Sequence, residues 1–504
     1  MNLEYNDSSQ NFDEFSEAKK QFMFLTNGIR DKVKSMEHGD LEAFLDKEGK
    51  ELIRCVLQGH LDRLALEEPM HEAVAGSDGI ERRQRRENTE RELMTLFGEV
   101  TVSRIRYGHP GEASLHPLDA RLNLPADKYS HNLRKRVAEE AAKVSFDETV
   151  KSIKRTTGSK VGKLQAEQLV ARASQDFEDF YSARKVTKTT GEKDFLVISL
   201  DGKGIVMKRE GLRESTRKAA ARETHKLRTR LSRGEKSNRK RMATVATVYA
   251  VEEHHRTPEQ IMNLENGPAE ARPKPVTKRV WASVEREPEA IAKEVFDEAE
   301  SRDPQRQRNW ALLVDGHVHQ LKNVWAQIIE RGLEGVVTPI LDFIHVLEYL
   351  WKAAYCFYEE GSEEAEAWVQ KRAFLILQGK SSSVAGGIRS SASKLNLPEQ
   401  AREPADKCAD YLLKYRSMLR YDKYLKLVMP IATGVIEGAC RHLIKDRLDI
   451  TGARWSLAGA EAVLKLRSLR SSGDFDEYWE FHRKQEQKRC HLSHYKQPKL
   501  VLAA

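Results

Sequence analysis

Five short apolar runs between residues 195 and 346 constrain the fold of this chain more than any other feature of its sequence. Each is bounded by charged or turn-forming residues and is rich in Val, Ile, Leu or aromatic side chains, which is typical of strands. The predicted strands are residues 195–200, 242–251, 276–285, 310–316 and 336–346. Helix-favouring stretches at 287–301 and 319–333 follow the third and fourth runs. The order βββαβαβ predicts an α/β core with some parallel strands.

Two of these runs lead directly into an Asp-Gly pair. Asp201 follows LVISL and Asp315 follows ALLV, so both carboxylates are predicted where a buried strand ends. Taken singly, such a pair is usually only a turn. In an α/β sheet, however, functional groups collect at the carboxyl ends of neighbouring strands. Adjacent carboxylates repel unless a cation lies between them, and Mg²⁺, with Mn²⁺ as a substitute, prefers such oxygen ligands.

A third carboxylate is predicted on a helix that packs against this sheet. The segment TGVIEGACRHLIKDRL places Glu437 on an amphipathic helix, with Arg441 and Lys445 at i+4 and i+8 on the same face. An acid and two bases together favour phosphate handling. Two metal ions held by three carboxylates can stabilise the attacking and leaving oxygens of an in-line phosphoryl transfer.

Asp342 and His345 stand in ILDFIH at the end of the fifth run. His345 could orient a phosphate, a metal-bound water or a carboxylate, and a histidine satisfied within the core explains the pattern equally well. Both residues are therefore auxiliary candidates.

A helix-turn-helix spacing occurs upstream of the predicted sheet. Residues 145–173 predict a helix, a turn at Gly158 and a second helix that begins near Lys163. An ordinary helical hairpin would give the same pattern. A DNA-binding interpretation is favoured by five basic side chains in the segment: Lys151, Lys154, Arg155, Lys160 and Lys163.

A second basic cluster follows Asp201. Residues 207–241 contain 14 Lys or Arg against 4 Glu, which suits a phosphate backbone. The predicted phosphate contacts near this end of the core are Lys203, Lys208, Arg209, Arg213, Arg217 and Lys218. A solvated segment with no ligand is the alternative.

The composition adds weak constraints on partner and compartment. A net charge of +8 with a pI of about 9.0 favours a polyanionic partner. The five cysteines are scattered and never form CxxC, so neither a disulfide framework nor a zinc finger is predicted. No leader or membrane-length apolar run is evident, so we expect a cytoplasmic protein with no membrane partner.

These features divide the 504 residues into several parts, as expected for a chain of this length. Besides the sheet, residues 347–428 are predicted to be helical with a Ser/Gly-rich break at 379–387. The predicted parts are a mostly helical N-terminal region with a short β hairpin at 1–130, a helix-turn-helix domain at 131–190, the first part of the core at 191–346, a helical insertion at 347–428, the second part of the core with the Glu437 helix at 429–485, and a tail at 486–504.

From Glu90 to Trp479 the chain resembles bacterial insertion-sequence transposases of the ISKra type, which are similar to the Mutator-like group of DDE transposases. The segments that carry the resemblance are LFGEVTVSRIRYG, SLDGKG, LLVDGH, LDFIHVLEYLW and GVIEGACRHLIKDRLDITGARWSLAGAEAVLKLRS. Related transposases often carry zinc-type cysteine pairs in the N-terminal region, and this chain has none. Recognition of DNA ends would then depend on helices and basic residues.

The resemblance implies an RNase H-like catalytic core. Asp201 would be the acid of the first strand, Asp315 that of the fourth, and Glu437 the acid on the helix after the fifth strand and the insertion. Asp342 and His345 match a DxxH-like motif. The implied activity is binding of terminal inverted repeats in double-stranded DNA, metal-dependent cleavage to 3′-hydroxyls, and attack of these hydroxyls on target DNA.

Transposition joins two ends, so a homo-oligomer on DNA is expected, in the bacterial cytoplasm and on the nucleoid when bound. Two alternatives stay open. One is a catalytically inactive DNA-binding regulator derived from a transposase. The other is an RNase H-like nuclease, such as a junction resolvase, which hydrolyses DNA without joining it.

Overall fold

The computed structural model of the chain describes residues 13–32, 36–184, 194–222, 227, 235, 238–264, 273–432, 434–450 and 452–498. These residues form two compact units. The first unit draws on Met1–Ser182 and Phe475–Ala504, and the second on Ala183–Asp474. No helix among the described residues has the length and apolar character needed to cross a membrane.

The first unit is mainly helical and contains a long β hairpin. Its helices are α1 Ser16–Lys32, α2 His38–Leu66, α3 Pro117–Arg121, α4 His131–Lys143, α5 Phe146–Thr156, α6 Lys163–Ala173, α7 Phe177–Ala183 and, from the end of the chain, α20 Phe475–Cys490. Its strands are β1 Val74–Ala75, β2 Glu81–Arg82, β3 Gln84–Met94 and β4 Glu99–Gly108. The hairpin β3–β4 is antiparallel.

The two helices predicted upstream of the core are present at the predicted positions. Ser145 caps α5 by accepting a hydrogen bond from the amide of Glu148, and α6 begins at Lys163. Both pack with α4 around a shared apolar core that includes Leu133, Ile153 and Leu169. Residues 131–182 thus form one compact unit with the N-terminal region, although a separate domain was predicted at 131–190.

The end of the chain belongs to the first unit. Helix α20 is continuous from Phe475 to Cys490, so the division between units falls at Asp474, where the sequence predicted it at 485. On α20, Glu486 pairs with buried Arg134 at 2.9 Å. His482 lies 2.6 Å from the carboxylate of Asp176. Buried charges are costly unless they are paired, so these contacts fix the helix within this unit.

The second unit is built on a mixed sheet whose five strands, within the described residues, lie where the sequence predicted them. The strands are β5 Phe195–Val206, β6 Lys240–Val251, β7 Val276–Ser283, β8 Trp310–Val314 and β9 Val337–Leu341. Their order is β7-β6-β5-β8-β9. The pairs β5–β6 and β6–β7 are antiparallel, whereas β5–β8 and β8–β9 are parallel. The predicted α/β class with some parallel strands is therefore confirmed.

The helices of the second unit either accompany the strands of this sheet or belong to the predicted insertion at 347–428. They are α8 Glu214–Arg222, α9 Pro258–Ile261, α10 Pro288–Arg302, α11 Val318–Glu330, α12 Phe343–Ala354, α13 Glu363–Leu377, α14 Ser381–Lys394, α15 Glu399–Lys414, α16 Tyr421–Lys426, α17 Gly434–Ala439, α18 Asp446–Leu448 and α19 Leu457–Ser472. A π-helical segment, Cys440–Lys445, joins α17 to α18.

The predicted Ser/Gly-rich break at 379–387 is wrong. Only Gly379, with φ of +80°, and Lys380 stand outside a helix, and the rest of the segment lies in α14. Val384, Ala385 and Ile388 are buried at helical spacing along α14. Burial of this apolar face offsets the low helix propensity of the serines and glycines.

Candidate active site

Three aspartates occupy one row across the parallel strands of the large sheet. The β5–β8 register, continued two residues beyond its last pair, sets Asp201 beside Asp315. The β8–β9 register, continued by one residue, sets Asp315 beside Asp342, whose amide donates to the carbonyl of Val314 at 2.8 Å. Neighbouring strands lie about 4.8 Å apart. The row therefore brings three carboxylates to one edge of the sheet.

The position of Asp201 differs from the prediction in one respect. β5 does not end before Asp201 but continues to Val206, and Asp201 pairs with Val245 of β6. Only the parallel pairing with β8 stops short of Asp201, at Ser199. Asp201 is consequently held by an antiparallel neighbour on one side, while its other side faces the end of β8.

Each aspartate of the row also accepts a hydrogen bond from a backbone amide one or two residues further along the chain. The donors are Gly202 at 2.6 Å from Asp201, His317 at 2.7 Å from Asp315 and Ile344 at 2.8 Å from Asp342. These bonds hold each aspartate side chain against the main chain. Asp342 is buried, with 2% of its surface exposed, and it caps α12.

His345 lies in the first turn of α12 and not at the end of a strand, because the fifth strand stops at Leu341 and the helix begins at Phe343. Its Nδ1 is 3.7 Å from the carboxylate of Glu348. His345 also faces Glu437 closely enough to act on the pKa of that residue. The structure thus brings both auxiliary candidates, Asp342 and His345, to the same place as the three acids.

Glu437 lies on α17, which packs against β5 and β6. Neither of its carboxylate oxygens has a hydrogen-bond partner among the described residues, and both are buried. Burial, followed by the negative charge of Asp342 and that of Asp201, raises the pKa of Glu437 to about 7. An unpartnered buried carboxylate is unfavourable, and a cation or a proton would relieve the cost.

The segment that carries Glu437 is not the single amphipathic helix that the sequence predicted. The α-helix stops at Ala439, and the next six residues are π-helical. A π segment has more residues per turn, and such segments are frequent at functional sites. The predicted common face is not maintained, because the oxygens of Glu437 are buried while Arg441 and Lys445 are exposed.

Cys440 is a site residue that the sequence reasoning missed. It begins the π segment, and its thiol donates to Oδ2 of Asp201 at 3.0 Å. Burial and the adjacent Asp201 raise the pKa of this thiol, whereas Lys203 lowers it. Lys203, predicted as a phosphate contact, therefore lies close to the carboxylates. The available signal was the position of Cys440 three residues after Glu437.

Two tyrosines of the helical insertion were also missed. The hydroxyl of Tyr411 donates to the carbonyl of Asp315 at 2.8 Å. The hydroxyl of Tyr415 donates to the carbonyl of Gly316 at 2.5 Å. The partners are backbone atoms almost a hundred residues earlier, so no local sequence pattern would have indicated these contacts.

The chemistry of this cluster fits Mg²⁺ or Mn²⁺, because every acidic side chain offers a hard oxygen and Glu437 is without a partner among the described residues. Among the described residues, however, no three His, Cys, Asp or Glu side chains converge as a preformed metal site. The aspartate oxygens accept hydrogen bonds from backbone amides one or two residues further along the chain and from Cys440. Metal binding would require these side chains to exchange those partners for the ion.

The predicted basic residues of the second unit are mostly exposed. Arg213 pairs with Glu287 at 2.5 Å, and Lys218 pairs with Glu214 at 2.6 Å. Arg441 lies 3.6 Å from Asp446. The remaining basic candidates here are all exposed on the surface: Lys208, Arg209, Arg217 and Lys445. Residues 223–226, 228–234 and 236–237 of the predicted basic segment lie outside the described residues.

The predicted basic residues of the first unit lie on α5, on α6 and in the turn between them. All five are exposed: Lys151, Lys154, Arg155, Lys160 and Lys163. Lys151 pairs with Glu148 and Lys163 with Asp147, each at 2.8 Å. Exposed pairs of this kind are weak, so their cations stay accessible to a phosphate.

Comparison of the chain with protein-family profiles and with curated proteins finds no match.

Proposed function

We propose that this protein is a DDE-type DNA transposase that cleaves and joins DNA strands with Asp201, Asp315 and Glu437. The observation that carries the proposal is the carboxylate row of the large sheet: the β5–β8 pairing ends two residues before Asp201 and Asp315, and the β8–β9 pairing ends one residue before Asp315 and Asp342. Glu437 is close enough for Asp342 and Asp201 to raise its pKa. Four acids close together near the carboxyl ends of the parallel strands lower the stability of the fold, which favours a catalytic reason for their presence.

The topology supports an RNase H-like core for this second unit. In the order β7-β6-β5-β8-β9, the central strand is β5, the first strand of this unit along the chain. Strands β7, β6 and β5 are antiparallel to one another in turn, and β8 and β9 are added in parallel on the other side of β5. The resemblance described above implies acids on the first strand, after the fourth strand and on a helix beyond the fifth. Asp201, Asp315 and Glu437 occupy those places.

In the proposed mechanism, Asp201, Asp315 and Glu437 would hold Mg²⁺, which when bound would supply charge stabilisation for the attacking and leaving oxygens of the phosphodiester. The carboxyl groups of Asp201 and Asp315 are oriented by the backbone amides of Gly202 and His317. Glu437, whose pKa is raised to about 7 by burial and by Asp342, would hold the ion in its ionised form. Asp342 is buried and caps α12, and it would help to position the other acids.

Basic surfaces of both units would hold the DNA. Lys203, close to Cys440 at the site, would contact the phosphate nearest the reacting bond. The exposed cations of the second unit would follow the backbone, and those of α5 and α6 would serve in a helix-turn-helix that recognises the terminal repeats. Joining two ends requires at least two bound sites, so we propose a homo-oligomer that acts on DNA in the cytoplasm.

The proposal is tested with labelled duplexes made from the DNA that flanks the gene on both sides. Cleavage and joining are followed with and without Mg²⁺ or Mn²⁺ for the wild type and for Asp201→Asn, Asp315→Asn and Glu437→Gln. Glu364→Gln, which changes an exposed acid of α13, is the matched control. We expect metal-dependent joining in the wild type and control, and none in the three variants, which still bind DNA.

Each other outcome identifies an alternative. Metal-dependent cleavage without any joined product would favour an RNase H-like nuclease. Binding without cleavage at any metal concentration would favour a regulator derived from a transposase. Unchanged cleavage by Asp315→Asn would disprove the assignment of the three acids.

A further inference from the structure

Three tyrosine hydroxyls of the helical insertion donate to main-chain carbonyls at the ends of β8 and β9. Tyr411 reaches the carbonyl of Asp315 at 2.8 Å, and Tyr415 reaches that of Gly316 at 2.5 Å. Tyr421 reaches the carbonyl of Leu341 at 2.7 Å, directly before Asp342. Buried tyrosines usually find some hydroxyl partner. Here all three partners lie at or beside two aspartates of the row.

The rings as well as the hydroxyls of two of these tyrosines contact the Asp315–Gly316 turn. Gly316 has φ of +88°, and a Cβ atom at this position would lie 3.0 Å from the Tyr415 ring and 3.1 Å from the Tyr411 ring. Tyr411 also stacks on Tyr349 of α12, with ring centroids 3.9 Å apart and an interplanar angle of 10°. The turn is therefore closely packed by side chains spaced four residues apart on one helix face.

This packing matters because the turn lies beyond the last residue of β8. The carbonyls of Asp315 and Gly316 follow the end of that strand, and hydroxyls of the insertion are their partners. The side chain of Asp315 is attached to the same turn through its bond from the amide of His317. A shift of the turn would thus move the carboxylate relative to Asp201 and Asp342.

We propose that Tyr411 and Tyr415 are positioning residues of the active site: the helical insertion uses their hydroxyls to hold the Asp315–Gly316 turn where its carboxylate binds the catalytic metal. This inference rests on the proposed function, because it assigns Asp315 to a metal. It gives the insertion a role in the reaction in place of a purely architectural one. Partners that orient metal ligands typically change metal affinity about 10- to 100-fold when they are removed.

The test uses the full chain as Tyr411→Phe, Tyr415→Phe and the double variant. Tyr424→Phe is the matched control, since Tyr424 is also a buried tyrosine near this part of the chain but donates to Ser417 at 3.2 Å and Pro339 at 3.4 Å, away from the turn. Mn²⁺ binding is titrated by electron paramagnetic resonance. Hydrogen exchange of the backbone amides in residues 314–318 is followed by mass spectrometry on the same samples.

We expect the double variant to bind Mn²⁺ about tenfold more weakly and to exchange faster at 314–318, with intermediate single variants and an unchanged control. Equal affinity and exchange in wild type and double variant would overturn the inference. Weaker binding in the control as well would indicate a general loss of structure and would also overturn it. If the wild type bound no Mn²⁺, the proposed function would fail, while the exchange rates would still decide whether the tyrosines hold the turn.

Discussion

The thiol of Cys440 donates a hydrogen bond to the carboxylate of Asp201 at 3.0 Å, although the two residues are 239 positions apart in the sequence. The contact joins the start of the π segment to the central strand of the large sheet. It gives the half-buried carboxylate of Asp201 a neutral donor that a metal ion could replace without leaving a charge unpaired. Cys440 therefore stabilises the metal-free form of the site.

Removal of this donor should lower the stability of the metal-free protein. Cys440→Ala should cost about 1–2 kcal/mol, because Asp201 loses a partner and a small cavity forms, whereas Cys440→Ser keeps a hydroxyl donor and should cost less. Urea unfolding in a chelating buffer measures both. Equal losses for Ala and Ser would show that packing, and not the hydrogen bond, accounts for the effect.

Substitution of Glu437 should stabilise the protein while it abolishes metal-dependent activity. The pKa of Glu437 in the folded protein is about 7, above the ordinary 4.5. The stability that protonated Glu437 contributes is therefore fully present below pH 4.5 and is lost as the pH rises through 7. In the absence of divalent ions, Glu437→Gln should match the wild type at pH 4 and exceed its thermal midpoint at pH 8. A constant difference across this range would contradict the assigned pKa.

Gly316→Ala should destabilise the second unit more than an ordinary glycine replacement. The left-handed backbone alone costs about 1–2 kcal/mol, and the new methyl group would also press on the rings of Tyr411 and Tyr415. Gly332→Ala is the control, since Gly332 has φ of +60° but no neighbouring atom within 4 Å of a Cβ. Denaturant unfolding should give a clearly larger loss for Gly316, and similar losses would argue against the tight turn.

Arg134 should contribute to the stability of the first unit. It is 3% exposed and pairs with Asp127 at 2.8 Å and with Glu486 at 2.9 Å. Arg134→Ala removes a buried cation from two acids, although Asp127 keeps its pair with Arg172 and Glu486 keeps its pair with Arg489, so the expected cost is about 1–3 kcal/mol. Arg136→Ala removes an exposed cation of the same helix and should have little effect. Circular dichroism during thermal unfolding distinguishes the two variants. Comparable midpoints would mean that the buried pairs contribute no net stability.

The basic residues of α5 and the following turn should determine how DNA binding depends on salt. Each phosphate contact contributes about 0.9 to the slope of log K against log salt. Replacement of Lys154, Arg155 and Lys160 by Ala should lower that slope by about 2–3 in fluorescence anisotropy titrations. Lys371→Ala, an exposed cation of the insertion, should leave it unchanged. An unaltered slope in the triple variant would remove this surface from the DNA interface.

The strands were predictable because each is a short apolar run bounded by polar residues, and the acids followed from their positions at the ends of those runs. The register was not predictable, since only the folded pairing shows that β5–β8 ends two residues before Asp201 and Asp315 and that β8–β9 ends one residue before Asp315 and Asp342. The prediction extended the fifth strand to residue 346 because FIHV is apolar, although Asp342 was available as a helix cap. Cys440, Tyr411 and Tyr415 act through contacts between distant segments, which local patterns do not encode.

Because α20 belongs to the first unit, that unit can be completed only after the end of the chain has been synthesised. During synthesis, Arg134 emerges long before its partner Glu486, which lies 352 residues later. The second unit, complete at Asp474, can fold on the ribosome before the core of the first is closed. Until α20 is made, Arg134 lacks its pair with Glu486, so a prematurely terminated chain would contain the carboxylate row of the second unit together with an unfinished first unit.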